Sequence, residues 1–234
     1  MKFNLIDIED WNRKPYFEHY LNAVRCTYSM TANLEITSLL REIKLKGLKL
    51  YPTLIYIITT VVNRHKEFRT SFDQNGKLGY WDSMNPSYTI FHKDNETFSS
   101  IWTEYDENFP RFYYNYLEDI RNYSDVMNFM PKAGQPANTI NVSSIPWVNF
   151  TGFNLNIYND ATYLIPIFTM GKYFQQDNKI LLPMSVQVHH AVCDGYHTSR
   201  FFNEVQELVW ECKIVCVNRY CMNLLYAPYW GKQR

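Results

Sequence analysis

The sequence predicts an α+β fold, a two-layer α/β sandwich with a mixed sheet. Segments with the three-to-four-residue apolar spacing of helices occur beside short runs of β-branched and aromatic residues that are typical of strands. The two kinds of segment do not alternate regularly, which argues against a parallel sheet built from repeated β–α–β units. Of the 234 residues, 46% are hydrophobic and 17% aromatic, so the chain can bury a sizeable core.

The first half of the chain contains two predicted helices and a hairpin. Residues 37–48 have helical apolar spacing that stops at a glycine. Residues 52–68 begin with Pro52, which suits a first helical turn, and are apolar nearly all round. We expect a buried helix there, although the run by itself does not exclude a strand. Residues 68–81 predict a hairpin whose DQNG turn uses Gly76 for a positive φ.

The rest of the chain continues this mixed pattern. Residues 87–92 predict a strand, and residues 97–123 carry aromatic side chains at helical spacing, broken at Pro110. Residues 124–139 contain two prolines and a glycine and predict a loop, which is too short for a domain linker. The remaining predicted elements are strands at 139–144, 147–157, 163–169 and 179–188 and a helix over 196–208.

Charge and composition exclude several function classes. The 23 Lys and Arg residues balance 23 Asp and Glu residues, so no positive field favours a nucleic acid. No apolar run reaches the roughly 18–20 residues of a membrane span, and the start MKFNLIDIEDW lacks the order of a signal peptide. The five cysteines form no disulfide framework. We therefore expect a cytoplasmic protein that binds neither nucleic acid nor membranes.

The segment QVHHAVCDGYH, residues 187–197, holds three of the six histidines. If residues 184–190 form a strand, His190 shares the apolar face while His189 faces the more polar side. Partial desolvation at the end of the strand would favour the neutral imidazole that a general base needs. His190 is therefore the candidate base, and His189 a candidate hydrogen-bonding support.

Two other interpretations of this segment were open. Asp194 is an ordinary helix N-cap and Gly195 an ordinary turn residue, so each residue alone has a structural explanation. The combination of two imidazoles, a carboxylate at a helix start and a glycine favours a functional site. A metal site is not expected, because His189 and His190 point to opposite faces of an extended chain. Asp194 and His197 lie three apart, but no H-E-x-x-H spacing accompanies them.

QVHHAVCDGYH resembles the active-site signature of the chloramphenicol acetyltransferase family, and its HH-x-x-x-DG core resembles wider acyl-CoA-dependent acyltransferases. The resemblance covers about residues 1–208 and implies the CoA-dependent acyltransferase fold. It also implies a homotrimer that transfers acetyl from acetyl-CoA to the 3-hydroxyl of chloramphenicol. The other matching segments are WNRKPYFEHY (11–20), YPTLIY (51–56), EFRT (67–70), YTIFH (88–92), ETFSSIW (96–102), VSSIPWVNFTGFNLN (142–156) and PIFTMGKY (166–173).

The resemblance implies catalytic roles for three residues. His190 would take the proton of the acceptor hydroxyl as its oxygen attacks the thioester, and would return the proton to the CoA thiolate without an acyl-enzyme. Ser143, four residues before Trp147, would stabilise the oxyanion, and the adjacent Ser144 is the alternative. Thr169 matches a family threonine that binds a water near the intermediate.

The resemblance also implies supporting and binding residues. Asp194 would pair with Arg13 and hold the histidine loop. Lys172 and Tyr173 match a stretch near the CoA channel, with acetyl-CoA as co-substrate and no metal. The base of one subunit would face a drug pocket formed largely by its neighbour. Positions matching the drug pocket, each of which also suits ordinary core, are Tyr20, Val24, Phe98, Phe153, Leu155 and Ile167.

Two other functions remained open. An acyltransferase of the same fold acting on another acceptor, such as a lipoyl arm, is disfavoured because the sequence contains no lipoyl or linker segment. A non-catalytic relative that sequesters the drug or CoA is disfavoured by the intact His190, Asp194 and Ser143.

The resemblance ends near residue 208. We expect one catalytic domain over residues 1–208 and an atypical C-terminal extension over 209–234. The extension is either dispensable or a continued helix with Cys212 and Cys216 on one face. Gly152 stands where many family members carry serine, and this departure does not put activity in doubt.

Overall fold

The structure, a computed structural model, describes residues 2–157 and 162–212. The strands in this part of the chain are β1 (Phe3–Leu5), β2 (Thr27–Glu35), β3 (Thr70–Phe72), β4 (Leu78–Trp81), β5 (Asn85–His92), β6 (Thr97–Trp102), β7 (Thr139–Ile145), β8 (Ile167–Gly171), β9 (Phe174–Gln176) and β10 (Lys179–His189). The α-helices are α1 (Lys14–Glu18), α2 (Thr37–Leu45), α3 (Leu50–Arg64), α4 (Phe109–Tyr123) and α5 (Gly195–Glu211). A π-helical turn, His19–Ala23, continues α1, and a 3-10 segment, Lys66–Arg69, follows α3.

The strands form two sheets. The large sheet has the order β2-β10-β8-β7-β5-β6, with β9 paired to β10, and the small sheet has the order β1-β4-β3. β7 runs parallel to both β5 and β8, whereas the other pairs in the large sheet are antiparallel. The predicted α+β fold with a mixed sheet is therefore confirmed.

The main core lies between the large sheet and the helices. Val142, Phe168 and Val186 lie opposite one another on β7, β8 and β10, and all three are buried. Phe168 packs on Phe201 of α5, with ring centroids 4.9 Å apart. Residues one position further along each strand point to the other face of the sheet. That second face carries the polar side chains of the site.

The buried helix predicted at 52–68 is present as α3, with Pro52 in its first turn. Its threonines are tolerated inside the core because their hydroxyls bond back to the helix itself. Thr59 donates to the carbonyl of Ile55 at 2.7 Å, the usual partner four residues earlier. The predicted hairpin is also present, and Gly76 in its turn has a φ of 73°.

The helix predicted over residues 97–123 was wrong over residues 97–108. Residues 97–102 form β6, and the helix α4 begins only at Phe109. Pro110 opens this helix and does not break it, because proline lacks only an N–H that the first turn leaves unpaired in any case. Asn108 caps the helix by accepting the N–H of Arg111 at 3.1 Å.

Two predicted strands were wrong, wholly or in part. Residues 147–157 form turns and a loop, whose backbone groups bond to side chains of β10 and, at Val148, to the backbone N–H of Lys172 just after β8. The strand predicted at 163–169 starts at Ile167, directly after Pro166, which cannot donate to a ladder. The sequence interpretation also missed β2, whose nine residues all pair with β10. Polar and apolar residues alternate throughout β2, from Thr27 to Glu35, so the period-two signal of a strand was present and was overlooked.

The last helix runs past residue 208 to Glu211. Val209 and Cys212 are buried in the core, and Cys212 has the left-handed φ of 48°. The helix therefore ends before Cys212, so the suggested continuation through Cys212 was wrong, and Cys216 lies outside the described residues. No helix within residues 2–157 and 162–212 has the length and apolarity needed to cross a membrane.

We predict that Phe168→Ala lowers the free energy of unfolding by about 3–5 kcal/mol, because it leaves a cavity between β8 and α5. Denaturant titration followed by circular dichroism measures the change. The control is Leu45→Ala on α2, whose leucine is 74% exposed and whose replacement should change stability by less than about 0.5 kcal/mol. Equal effects of the two substitutions would contradict the proposed core.

Candidate active site

His190 lies in the turn that joins β10 to α5. Its backbone N–H donates to the carbonyl of Cys26 at 2.9 Å, and its carbonyl accepts from Nη2 of Arg13 at 3.0 Å. The N–H groups of Val192 and Cys193 both donate to the carbonyl of His189 at 3.1 Å, which closes the turn. Contacts to two distant segments therefore fix the backbone on both sides of the imidazole.

The imidazole of His190 is held on its face and its edge. The ring of Tyr20 stacks on it with centroids 3.9 Å apart and an interplanar angle of 7°, and Tyr28 meets it edge-on at 5.3 Å. Its Nδ1 atom is buried 3.4 Å from Oδ1 of Asp194, in a geometry that does not make a hydrogen bond. The side chain remains 27% exposed. Nε2, which has no bonded partner among the described residues, is the nitrogen available to a substrate.

Arg13 and Asp194 form the ion pair that the sequence predicted. Nη1 and Nη2 of Arg13 donate to the two carboxylate oxygens of Asp194 at 2.7 and 2.6 Å, and Nε donates to the carbonyl of Ala191 at 2.9 Å. The planar guanidinium suits such bidentate contacts. The hydrogen bond from Arg13 lowers the pKa of Asp194, so this carboxylate stays charged.

His197 fixes the other side of the same turn. Its Nδ1 atom accepts the backbone N–H of Asp194 at 2.9 Å, which places the ring proton on Nε2. Burial lowers the pKa of His197 and so favours this neutral form. The sequence interpretation noticed His197 only as a possible metal ligand. Its position three residues into the helix, where a side chain can bond back to the cap, was the available signal.

His189 lies on the more polar face of β10, as strand alternation predicted, and is buried there. It shares its face with Ser185 and Gln187, as predicted, but that face is covered. Its Nδ1 atom accepts the N–H of Ala191 at 3.1 Å, and burial lowers its pKa. A hydrogen-bonding role in shaping the turn is consistent with this geometry.

Ser143 and Thr169 lie opposite each other on β7 and β8, with their hydroxyl oxygens 3.3 Å apart. Ser185 lies opposite Thr169 on β10, which completes a row of three hydroxyls across the sheet. Ser144, the alternative to Ser143, points to the other face of β7 and lines a separate cavity. The hydroxyl row therefore contains Ser143 and not Ser144.

One chain does not bring Ser143 and His190 together. Ser143 lies two strands from β10 in register with Ser185, five residues before His190. A rise of about 3.3 Å per residue and a strand spacing of about 4.8 Å put the two Cα atoms about 19 Å apart. This separation exceeds the reach of the two side chains toward a common reacting group.

Comparison with known proteins assigns the chain to a family. The sequence model described as "Chloramphenicol acetyltransferase" matches residues 1–206. A chloramphenicol acetyltransferase of Clostridium perfringens is 95% identical over 208 residues, covering 89% of this chain and 95% of that protein. One from Clostridium butyricum is 74% identical, with the same coverage of both chains. The chain belongs to the chloramphenicol acetyltransferase family.

The family resemblance inferred from the sequence is thereby confirmed, and the chain is an acetyl-CoA-dependent acyltransferase. Among solved structures, a chloramphenicol acetyltransferase has a TM-score of 0.77 at 23% identity, covering 89% of this chain and all of that one. The dihydrolipoamide acetyltransferase of Azotobacter vinelandii has a TM-score of 0.65 at 15% identity, covering 93% of both chains. At these identities the two structures support the fold alone.

The residues that match the family's drug pocket are dispersed in one chain. Tyr20 stacks on His190, and Val24 follows it at the end of the π-helical turn. Phe98 lies on β6, at the opposite edge of the large sheet from β2. Val24 is 51% exposed, Phe98 50% and Leu155 45%, which is high for apolar side chains. Ile167, in contrast, is buried on β8.

Phe153 and Leu155 lie on the loop that covers the second face of the sheet. The hydroxyl of Ser185 donates to the carbonyl of Phe153 at 2.6 Å, and the N–H of Leu155 donates to Oε1 of Gln187 at 2.9 Å. β10 therefore anchors this loop through two side chains. The sequence interpretation noted Gln187 only as part of the signature and gave Ser185 no role.

Lys172 and Tyr173 line a cavity of about 370 Å³ at the end of the sheet opposite His190. Its walls also include Tyr51 of α3, Ser144 and the half-exposed Trp147. A mostly apolar cavity of this size with a few polar groups is typical of a cofactor site. The structure thus brings together the two residues matched to the CoA channel.

Within residues 2–157 and 162–212, no group of three or more His, Cys, Asp or Glu side chains converges as metal ligands would. The independence of the reaction from metal stays a prediction.

We predict that Asp194→Asn lowers the free energy of unfolding by about 1–3 kcal/mol at pH 7, because Arg13 loses its charged partner in a half-buried site. The pKa of Asp194 is depressed in the folded chain, so this stabilisation is fully present above the unfolded carboxyl pKa of about 3.9 and is lost progressively as the pH falls from there through the lower folded-state pKa. Denaturant titrations of both proteins over acidic and neutral pH should therefore show a constant gap above about pH 4 that narrows as the pH falls further. A gap independent of pH would contradict the ion-pair interpretation.

Proposed function

We propose that this enzyme transfers the acetyl group of acetyl-CoA to the 3-hydroxyl of chloramphenicol and thereby confers resistance to the drug. The observation that carries the proposal is the immobilised imidazole of His190, whose Nε2 atom is left available while Tyr20 and Tyr28 pack against the ring and Nδ1 lies 3.4 Å from Asp194. The 95% identity to a chloramphenicol acetyltransferase supports the choice of acceptor. The proposal places the reaction in the cytoplasm, because acetyl-CoA is an intracellular metabolite.

The proton moves through His190 alone. Nε2 accepts the proton of the acceptor hydroxyl as the hydroxyl oxygen bonds to the thioester carbon. When the carbon–sulfur bond breaks, the imidazolium returns this proton to the CoA thiolate, so no acyl-enzyme forms. Asp194 is a positioning residue, because both of its oxygens accept from Arg13 and neither is bonded to Nδ1 of His190.

The oxyanion of the tetrahedral intermediate requires a donor, and Ser143 supplies it. Its hydroxyl lies 3.3 Å from that of Thr169, so the two side chains form a polar pair on an otherwise covered face of the sheet. Losing one such donor typically costs about 2.7–4 kcal/mol of transition-state stabilisation. Thr169, which is buried, would orient the pair or hold a water beside it.

The separation of Ser143 from His190 supports an active site built from two chains. A homotrimer with threefold symmetry would place His190 of each subunit against the hydroxyl row and the drug-binding residues of a neighbour. The exposed apolar side chains of Val24, Phe98 and Leu155 would then be covered by the drug or the neighbouring subunit.

The cavity lined by Lys172 and Tyr173 would receive acetyl-CoA. Lys172 is exposed at its rim, where an ammonium group can pair with the phosphates of the nucleotide. The ring of Trp147, which meets Phe91 edge-on at 4.7 Å, offers an apolar wall to the adenine or the pantetheine arm.

We predict that His190→Ala reduces kcat by about 10²–10⁴-fold, because general-base catalysis contributes that factor. Release of free thiol from acetyl-CoA is followed with and without chloramphenicol. The matched control, His65→Gln, removes a histidine that pairs with Glu204 outside the proposed site and should leave kcat unchanged. Drug binding without turnover in the native chain would indicate sequestration of the drug. Turnover only with dihydrolipoamide would indicate a different acceptor. Either result would contradict the proposal.

We predict that two inactive variants complement each other. When His190→Ala and Ser143→Ala chains are co-expressed in equal amounts, about three quarters of the trimers are mixed. Each mixed trimer has one of its three sites with both native residues, which gives about a quarter of the wild-type activity. Trimers of each variant alone are the controls. Activity no higher than these controls, in trimers shown by mass spectrometry to be mixed, would contradict a shared active site.

A further inference from the structure

A second cavity, of about 410 Å³, lies behind the Arg13–Asp194 pair, away from the proposed substrate sites. It is formed where the N-terminal segment meets the 3-10 segment and the start of α5. Among its lining residues, only Arg13 and His197 also support the turn that carries His190. Its walls are Ile6, Trp11, Asn12, Arg13, Tyr16, Lys66, Glu67, Thr70, Tyr80, Val192 and His197.

Several charged and polar donors lie among the apolar walls of this rear cavity. Within residues 2–157 and 162–212, Nζ of Lys66 has no carboxylate within 4.0 Å and Nε2 of His197 has no hydrogen-bond partner. Nδ1 of His197 accepts from the backbone, so Nε2 carries the ring proton and can only donate. The carboxylate of Glu67 is already paired with Arg200. The cavity therefore offers two free donors, one of them a cation, and favours an anion.

The remaining walls are aromatic. Trp11, Tyr16 and Tyr80 line the cavity, and Nζ of Lys66 lies 4.6 Å from the centre of the Tyr80 ring. The guanidinium of Arg13 lies 5.8 Å from the ring of Tyr16. Aromatic faces with a cation at their edge suit a planar apolar body that bears one negative group.

We propose that the rear cavity is a second binding site, for a small aromatic carboxylate. The aromatic body packs against Trp11 and Tyr80, while the carboxylate accepts from Nζ of Lys66 and Nε2 of His197. A cavity of about 410 Å³ lies within the usual range for small-molecule sites.

Binding there would be coupled to His190 through two shared residues. Arg13 lines the rear cavity and also holds Asp194 and the carbonyl of His190. His197 lines the cavity and accepts the N–H of Asp194. An anion beside Arg13 competes for its guanidinium and loosens the turn that carries the imidazole. We therefore expect the ligand to lower kcat while leaving KM unchanged for both substrates, an effect that rests on the proposed function.

The binding test uses isothermal titration calorimetry of the full chain with indole-3-acetate, and with indole-3-acetamide as the uncharged control probe. Indole-3-acetate should bind once per chain, about tenfold more tightly than the amide, because a charge-assisted hydrogen bond is lost in the amide. Lys66→Gln should weaken binding of the acid about tenfold, whereas Lys44→Gln on the exposed face of α2 should not change it. Saturating chloramphenicol should not displace the probe.

Three results would overturn the proposal: no binding of the acid, equal binding of acid and amide, or displacement by chloramphenicol. The comparison of the two probes uses the native chain, so it stands even if Lys66→Gln fails to fold. The kinetic arm measures kcat and KM at increasing indole-3-acetate, and competitive inhibition against either substrate would overturn the coupling. Calorimetry requires no turnover, so failure of the proposed acetyl transfer is distinguishable from failure of the second site.

Discussion

The site depends on the ion pair between Arg13 and Asp194, which joins residues 181 positions apart in the sequence. Arg13 donates four hydrogen bonds, two to the carboxylate and one each to the carbonyls of His190 and Ala191. One guanidinium therefore fixes the start of α5 and the turn before it. A neutral side chain at position 13 would leave the carboxylate and two carbonyls without these donors.

The sheet gives its two faces different tasks. On one face, Val142, Phe168 and Val186 pack against the helices and supply the apolar burial that stabilises the fold. On the other face, Ser143, Thr169 and Ser185 form a row of hydroxyls, covered in part by the loop that β10 anchors. Because strand residues alternate between faces, the same three strands serve the core and the site without conflict.

The imidazole of His190 is held in position for proton transfer mainly by packing contacts and not by ionic ones. Stacking with Tyr20 and the edge contact with Tyr28 limit rotation of the ring. The hydroxyl of Tyr28 lies 3.2 Å from that of Thr198 in the first turn of α5. The same helix therefore supports both Tyr28 and Asp194. Burial raises the pKa of Tyr28 to about 12, which keeps this phenol neutral beside the base.

The sequence determined the fold class, the family and the short-range chemistry of residues 187–197, because local periodicity and a contiguous signature record these directly. It also indicated the Arg13–Asp194 pair, through the resemblance of two distant segments. Only the tertiary structure decided that residues 147–157 form a loop and that β2 pairs with β10. These depend on partners far along the chain, which no local pattern encodes. The cap that His197 makes on Asp194 spans only three residues, and its signal was present in the sequence. The separation of Ser143 from His190, about 19 Å from ideal strand geometry, likewise follows from strand order and register, and these are fixed only when the whole sheet assembles.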